Sequence, residues 1–470
     1  MGGSFQNGYH ITGMSSPSPF IQRFINSSWY DRYEEPPSQQ LITMIWSLIV
    51  SMYTVGGLFG SVSVQTISNK LGRKKSMMCS SFVSVVAAVI MLTSKRARSY
   101  EMIIVARILF GFSTGLGSNI QLTYLGEISP KKIRGIVSQT AVMAMSLGKL
   151  SGQLFGLSEI LGREELWNID LIVPTVFSIV NIIAIPFFPD APRFLFIEKG
   201  DDKACKKALQ SLWGPGDYKQ EMDEMLEEQV AIEAAPPKSA LQLLRDRTVR
   251  WQLFTISFVF ACSQLSGSSV ISTFSFDIFL QAGVPVDKIR YVTLGLGVTE
   301  ILTCICCGLL IERTGRKPLL CGGFAVMSSC MVLITVMLNL KDSSYWVPYV
   351  TSGLIILFII FLAGGPAGVA ASLLTETFIQ SDRMASFVLM GFQRWFCLGV
   401  VGLVFPFLVN ALDSYCFVLF ACMGLLGFLY SFFIVPETKG KSLLEISKEY
   451  RAITVCGKSF SKENKLETKL

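Results

Sequence analysis

Long apolar runs separated by short polar loops set the pattern of this chain. The runs fall at about residues 41–67, 77–94, 102–122, 136–158 and 167–188. After a charged insertion they resume at 252–276, 291–311, 318–338, 347–374, 385–409 and 415–435. Roughly 20 apolar residues wound as a helix cross the hydrocarbon core of a bilayer. In lipid the helix satisfies every backbone N–H and C=O internally, so the pattern predicts eleven spanning helices. Residues 1–20 read as the outer end of one more, with its first half absent. They lack the basic start and apolar core of a signal peptide, and Gln6 stands where a myristoylation motif needs Ser or Thr.

The insertion, 189–251, is polar and helix-prone. Leu195 to Leu212 is amphipathic, Glu221 to Glu233 is acidic, Pro236-Pro237 breaks the pattern, and Ala240 to Leu244 resumes it. It has no histidine, cysteine cluster or phosphate loop, so it reads as a linker. The expected layout is an N-terminal membrane half (1–188, first helix incomplete), a cytoplasmic linker (189–251), a C-terminal membrane half (252–435) and a polar tail (436–470).

The halves repeat. Glu127 precedes Arg134 by seven residues, and Glu376 precedes Arg383 by seven, at an offset of 249. Gly72-Arg73-Lys74 returns as Gly315-Arg316-Lys317, offset by 243. Pro189-Asp-Ala-Pro-Arg193 and Pro436-Glu437-Thr-Lys439 close the two halves, offset by 247. Three motif pairs in one order at nearly one offset mean an internal duplication.

Bulk composition agrees with a membrane protein. Of 470 residues 51% are hydrophobic and 16% charged, and mean hydropathy is +0.50. The net charge of +7 is spread through short loops, which fits anionic lipid and excludes a nucleic-acid partner. Most of the 12 cysteines lie in apolar runs, so neither a disulfide framework nor a metal site is expected, Cys304-Ile-Cys-Cys307 included. The basic loops at 70–75, 131–134, 313–317 and 383 fall on one side and mark the cytoplasm; Lys95 to Arg98 runs against them. The sequon Asn26-Ser-Ser28 falls outside, so Asn26 is a candidate glycosylation site.

Two charges stand out at membrane depth, Glu300 and Arg394. Such residues pair or line water, and the expectation is that these two face a cavity and pair. Trp395 follows Arg394, and Gln153 interrupts another apolar run.

Together, in order, the signposts Gly72-Arg73-Lys74, Glu127 to Arg134-Gly135, Pro189 to Arg193, Gln264-Leu-Ser-Gly267, Gly315-Arg316-Lys317, Glu376 to Arg383 and Pro436 to Lys439 resemble the facilitative hexose transporters of the sugar-porter branch of the major facilitator superfamily. Gly365-Pro-Ala-Gly368 and Glu300 resemble its class II, which includes fructose, glucose and urate carriers. The resemblance implies an all-α membrane protein of two six-helix halves, here eleven full spans plus a stub. It implies uniport of a hexose across the plasma membrane by alternating access, with no cofactor, covalent chemistry or enzyme activity. The N-terminal loop would lie outside, the linker and C-terminus inside.

The resemblance also assigns roles. Arg73, Glu127, Arg134, Arg193, Glu312, Arg316, Glu376, Arg383 and Glu437 would form cytoplasmic gating ion pairs. Asn69 replaces the family's usual Asp, which weakens the first half's latch. Gln153 and Gln264 would bind sugar, as would Tyr9, His10, Glu300, Arg394 and Trp395. Ser263 and Ser269 stand where the family has Gln and Asn, and Ala371 where it has Trp. His10 stands where facilitators carry Asn and proton symporters Asp; uniport is the preferred reading. Two alternatives remain: a urate or other organic-anion carrier, drawn by Arg394, and a non-transporting truncated variant. No feature of the sequence sets an oligomeric state.

Overall fold

A computed structural model describes residues 2–129, 134–234, 239–247, 249–378, 380–439, 441, 446, 449 and 450. Among the described residues the chain is helical throughout, with no strand. Most of the tail, 436–470, lies outside the described residues.

The first part of the chain forms α1 (Gly2–Thr12), α2 (Ser18–Tyr33), α3 (Gln39–Leu71), α4 (Arg73–Arg96), α5 (Tyr100–Ile128), α6 (Arg134–Phe155), α7 (Trp167–Asp170) and α8 (Thr175–Ala184). The linker carries α9 (Asp202–Trp213), α10 (Lys219–Ala234) and α11 (Ala240–Arg245). The rest forms α12 (Arg250–Ser263), α13 (Ser269–Thr273), α14 (Ser275–Gln281), α15 (Val286–Thr314), α16 (Arg316–Asn339), α17 (Val347–Gly364), α18 (Pro366–Thr377), α19 (Gln380–Leu412) and α20 (Cys416–Phe433). Among the described residues, nine stretches are long and apolar enough to cross a membrane; one, Ala385–Phe433, covers two successive predicted spans. α1 has 11 residues, about 16 Å at 1.5 Å per residue, which is roughly half a hydrocarbon core.

Helix ends follow local chemistry. Ser38 caps α3 by accepting from the Leu41 N–H at 3.2 Å, and Ser239 with Gln242 forms a capping box on α11. Pro348 and Pro366 sit in the first turns of α17 and α18, where no N–H is needed. Three predicted spans are interrupted: 167–188 between α7 and α8, 347–374 at Gly365 between α17 and α18, and 252–276. A wide π-type turn at Gln264–Ser268 parts α12 from α13, and Gly267 there has φ +102°. A side chain at Gly267 would also meet Met331 Cε at 2.5 Å. Broken helices of this kind are tolerated in membranes where the loosened backbone lines a cavity.

The described chain divides into two compact units. The first holds Met1–Ala235, Ser269–Ile301 and Trp395–Asp413; the second holds Pro236–Ser268, Leu302–Arg394 and Ser414–Leu470. Parts of α13 to α15 and of α19 thus belong with the N-terminal helices.

In the first unit α3 packs on α5, α4 on α5, and α1 on α6. Small residues permit the close approach. A Cβ on Gly56 would lie 2.0 Å from Ile108 O, and one on Gly111 would lie 1.9 Å from Tyr53 O. α1 and α6 interlock likewise, with Gly8 against Met145 O and Gly148 against Phe5 O. Water supplies little drive between helices in lipid, so close backbone packing carries the association. The linker folds on itself: Cys205, Leu209, Met225 and Phe196 form a small core, and Trp213 Nε1 donates to Ile128 O at 2.9 Å. In the second unit α16 packs on α20 and α17, with Phe324, Leu320 and Val369 fully buried.

Candidate functional site

In the first unit α1, α3, α5, α13 and α19 border a small pocket of about 10 Å³, room for about one water-sized species. Its polar lining is His10, Tyr53, Thr54, Arg107, Ser269 and Thr273. Tyr53 organises it. Its hydroxyl donates to Asn7 Oδ1 at 3.1 Å and accepts from Thr114 Oγ1 at 3.0 Å. The Arg107 guanidinium lies over its ring face at 4.5 Å, and Trp395 meets it edge-on at 5.7 Å. Trp395 reaches this place because Gly57 has no side chain; a Cβ there would come within 2.5 Å of the indole.

Arg107 is 2% exposed. Its Nε donates to Ile49 O at 3.3 Å and its Nη1 to His10 O at 3.5 Å. Among the described residues no carboxylate pairs with it. An isolated charge at the bilayer centre costs about 2.5–3.5 kcal/mol on insertion scales. The tyrosine ring and two carbonyls offset part of that. His10 is fully buried between Phe110 (4.4 Å between ring centroids) and Tyr53 (5.7 Å). Neither of its ring nitrogens has a hydrogen-bond partner. Tyr9, the next residue, points elsewhere: its hydroxyl donates to Asp170 Oδ1 at 2.7 Å.

Beside this cavity, in the same unit, α6 and α15 meet through a polar pair. Lys149 Nζ bonds Glu300 Oε1 at 2.6 Å, with the side chains 17% and 19% exposed. One turn along each helix, Gln153 lies against Gly297, where an added Cβ would be 2.0 Å from Gln153 Oε1. That oxygen is buried with no partner, a polar group left to be satisfied by what enters the site. The sequence reading gave Glu300 to Arg394; the structure gives it to Lys149. Lys149 stands four residues before Gln153 on the same face of α6 and meets α15 there, within the same unit.

Of the expected sugar-contacting residues, the first unit thus holds Tyr9, His10, Gln153, Ser269, Glu300 and Trp395. Ser263, Gln264 and Arg394 lie in the second unit. Ser263 is buried and its carbonyl accepts from Ser266 and Ser268 within the interrupted turn. Ala371's side chain lies outside the described set. Arg107, Lys149 and Tyr53 were missed by sequence reasoning. The signal was present, since Arg107 and Lys149 are charges inside the apolar runs 102–122 and 136–158.

At one end of the first unit Arg290 Nε donates to Ser16 Oγ at 2.8 Å and its Nη1 to Ser158 Oγ at 3.1 Å. Ser15 and Ser275 hydroxyls lie 2.7 Å apart, Ser18 donates to Asp277, and Tyr291 bonds Glu159. These contacts tie α14 and α15 to the N-terminal helices.

At the opposite ends of the helices lie the duplicated motifs. Arg73 holds Glu127 through Nε at 3.1 Å and Nη2 at 2.9 Å, and lies over the Phe194 ring at 4.8 Å. Lys74 N donates to Asp190 Oδ1 at 3.4 Å. In the second unit Glu437 does the matching work: Arg316 N and Lys317 N each donate to its carboxylate at 3.0 Å. Asp190 and Glu437 therefore each cap the helix that begins at Arg73 or Arg316. Gly72 (φ +82°) and Gly315 (φ +91°) make the turns, and a Cβ on either would lie 2.8 Å from the capping carboxylate. Arg193 begins the π-type turn Phe194–Glu198. The side chains of Arg134, Glu312, Glu376 and Arg383 lie outside the described set. Asn26 is exposed on α2, whose Ser28 is buried.

Residues 1–450 match the family described as "Sugar (and other) transporter". Facilitated glucose transporter member 9 of Mus musculus is 40% identical over 449 residues, covering 96% of this chain and 84% of that protein. Member 5 of Bos taurus is 40% identical over 447 residues, covering 95% and 89%. Among solved structures, the inward-open conformation of the xylose transporter XylE from E. coli aligns with a TM-score of 0.77 at 18% identity. That alignment covers 95% of this chain and 97% of that one. It shows the major facilitator fold, and with the profile match it identifies the chain as a multi-pass membrane protein belonging to the sugar transporter family.

Proposed function

We propose that the chain is a class II facilitative carrier that moves hexoses such as glucose and fructose down their gradients across the plasma membrane by alternating access. The observation that carries this is the match to facilitated glucose transporters over nearly the whole chain. The site's chemistry supports it. Sugars are neutral and hydroxyl-rich, so their carrier needs hydroxyl, amide and indole groups beside a cavity. Gln153, Ser269, Thr273 and Trp395 are of those kinds, and Gln264 adds another amide.

In this reading 1–188 and 252–435 are the moving halves, 189–251 is the cytoplasmic linker and 436–470 the cytoplasmic tail. The Arg73–Glu127 pair and the Glu437 cap belong to the inner gate, and the Arg290 contacts to the outer one. No chemistry is catalysed; the protein's task is to offer two states of similar free energy that a bound sugar can cross between.

A rival reading, an organic-anion carrier for urate, rests on Arg394, half-buried in α19. Initial rates of labelled fructose, glucose and urate uptake into cells separate the two, with surface biotinylation to count carriers. Saturable uptake of a hexose supports the first reading; saturable urate uptake without hexose uptake replaces it.

A further inference from the structure

We propose that the cavity between His10 and Arg107 is a binding site for a small monovalent anion. The inference does not depend on which sugar is carried. Arg107 is a permanent cation, fully buried, and its neighbours are a tyrosine ring and two backbone oxygens at 3.3 and 3.5 Å. Buried cations in membrane proteins pair with acids or with backbone carbonyls, and carbonyls leave the net charge to be balanced by something else. Among the described residues no acid pairs with it: Asp170 is turned to Tyr9, and Glu300 is held by Lys149. Its hydrogen bonds are to neutral carbonyls, so the charge itself has no counter-charge beside the pocket it lines.

His10 is the second, independent observation. It is 1% exposed, lines the same cavity, and both its ring nitrogens are without partners. A buried imidazole with neither nitrogen bonded is rare, and a ligand accepting its N–H would satisfy it. Thr273 adds a hydroxyl to the same lining. The apolar remainder (Ile11, Val50, Phe274) strengthens a charge interaction by excluding water. One positive charge, with imidazole and hydroxyl donors, selects a single negative charge. A divalent ion would leave one charge unbalanced. An inorganic halide such as chloride has the single charge and comes nearest to the size of the space.

The test uses the purified full-length chain. Sodium sulfate is exchanged for sodium chloride, or for sodium urate, at constant ionic strength. Equilibrium dialysis with labelled chloride and labelled urate counts bound anion, and thermal unfolding follows stability. The expected result is one saturable anion per chain and a saturating rise in Tm of at least about 2 °C. Chloride that binds without competition from urate supports the site, since urate is too large for the pocket. His10→Asp would set a carboxylate beside Arg107 as a built-in counter-ion. It should weaken anion binding at least about tenfold and raise Tm in sulfate alone. If chloride does not bind to the unaltered chain, or urate displaces it, the proposal is overturned. Binding that persists undiminished in a folded His10→Asp variant overturns it as well. Should that variant fail to fold, the dialysis on the unaltered chain decides alone.

Discussion

At the scale of single residues, the polar groups inside the helices explain the site better than its aromatic groups do. Lys149 and Glu300 neutralise each other where each alone would be costly. Removing one partner of a buried pair typically costs about 3–5 kcal/mol, because the other is left uncompensated; their partial exposure puts this pair at or below the lower end. Lys149→Met should therefore lower Tm and transport sharply, and the double variant with Glu300→Gln should recover much of the stability. A double-mutant cycle by thermal unfolding measures this, and additive losses would contradict the pairing. Trp395 depends on an absence: Gly57→Ala would press a methyl into the indole. That change should weaken substrate affinity several-fold while leaving surface expression near normal, as read from concentration-dependent uptake. Both predictions concern positions where the sequence alone was incomplete. Glu300 was legible as a charge at membrane depth, but its partner was not. Pairing depends on which faces of α6 and α15 meet, and an apolar run cannot reveal its facing side when lipid and protein neighbours are equally apolar.

At the scale of elements, helix position was legible and helix breaks were not. The predicted span 136–158 is a helix, α6, but it is not one of the stretches long and apolar enough to cross a membrane among the described residues. The predicted runs lie on helices because hydrophobic length is dictated by the bilayer. The turn at Gln264–Ser268 left no mark in hydropathy, since its residues are as small and mixed as those around it. Only Gly267, which alone accepts φ +102° at low cost, hinted at it. The duplication was legible in the motifs, and the structure adds its mechanism: a carboxylate, Asp190 or Glu437, caps each repeated helix. Gly72→Ala and Gly315→Ala should each destabilise by about 1–2 kcal/mol from the left-handed backbone alone, with more from the clash with the carboxylate.

The Glu437 cap has a pH signature. Burial raises its carboxyl, but the N–H groups of Arg316, Lys439, Lys317 and Thr438 outweigh that and hold it below its usual 4.5. A lowered folded-state value means the cap stabilises above pH 4.5 and its contribution is lost as pH falls through that lowered value. The Tm difference between the native chain and Glu437→Gln should therefore be largest near neutral pH and shrink below pH 4.5. A difference that grows on acidification would contradict the assignment.

At the scale of the whole molecule, a neutral solute has to cross without a continuous pore. The family and the fold supply the means, two halves related by duplication, and the site supplies groups suited to hydroxyls. Uniport follows if neither protons nor anions are moved in fixed ratio with the sugar. The most direct measurement is counterflow in proteoliposomes holding the purified chain, preloaded with unlabelled fructose or glucose and diluted into labelled tracer. The account predicts a transient overshoot of label inside, decaying to equal concentrations, and no accumulation when a pH gradient is imposed. Label that enters without overshoot, or that accumulates above the outside level under a pH gradient, would contradict facilitative alternating access.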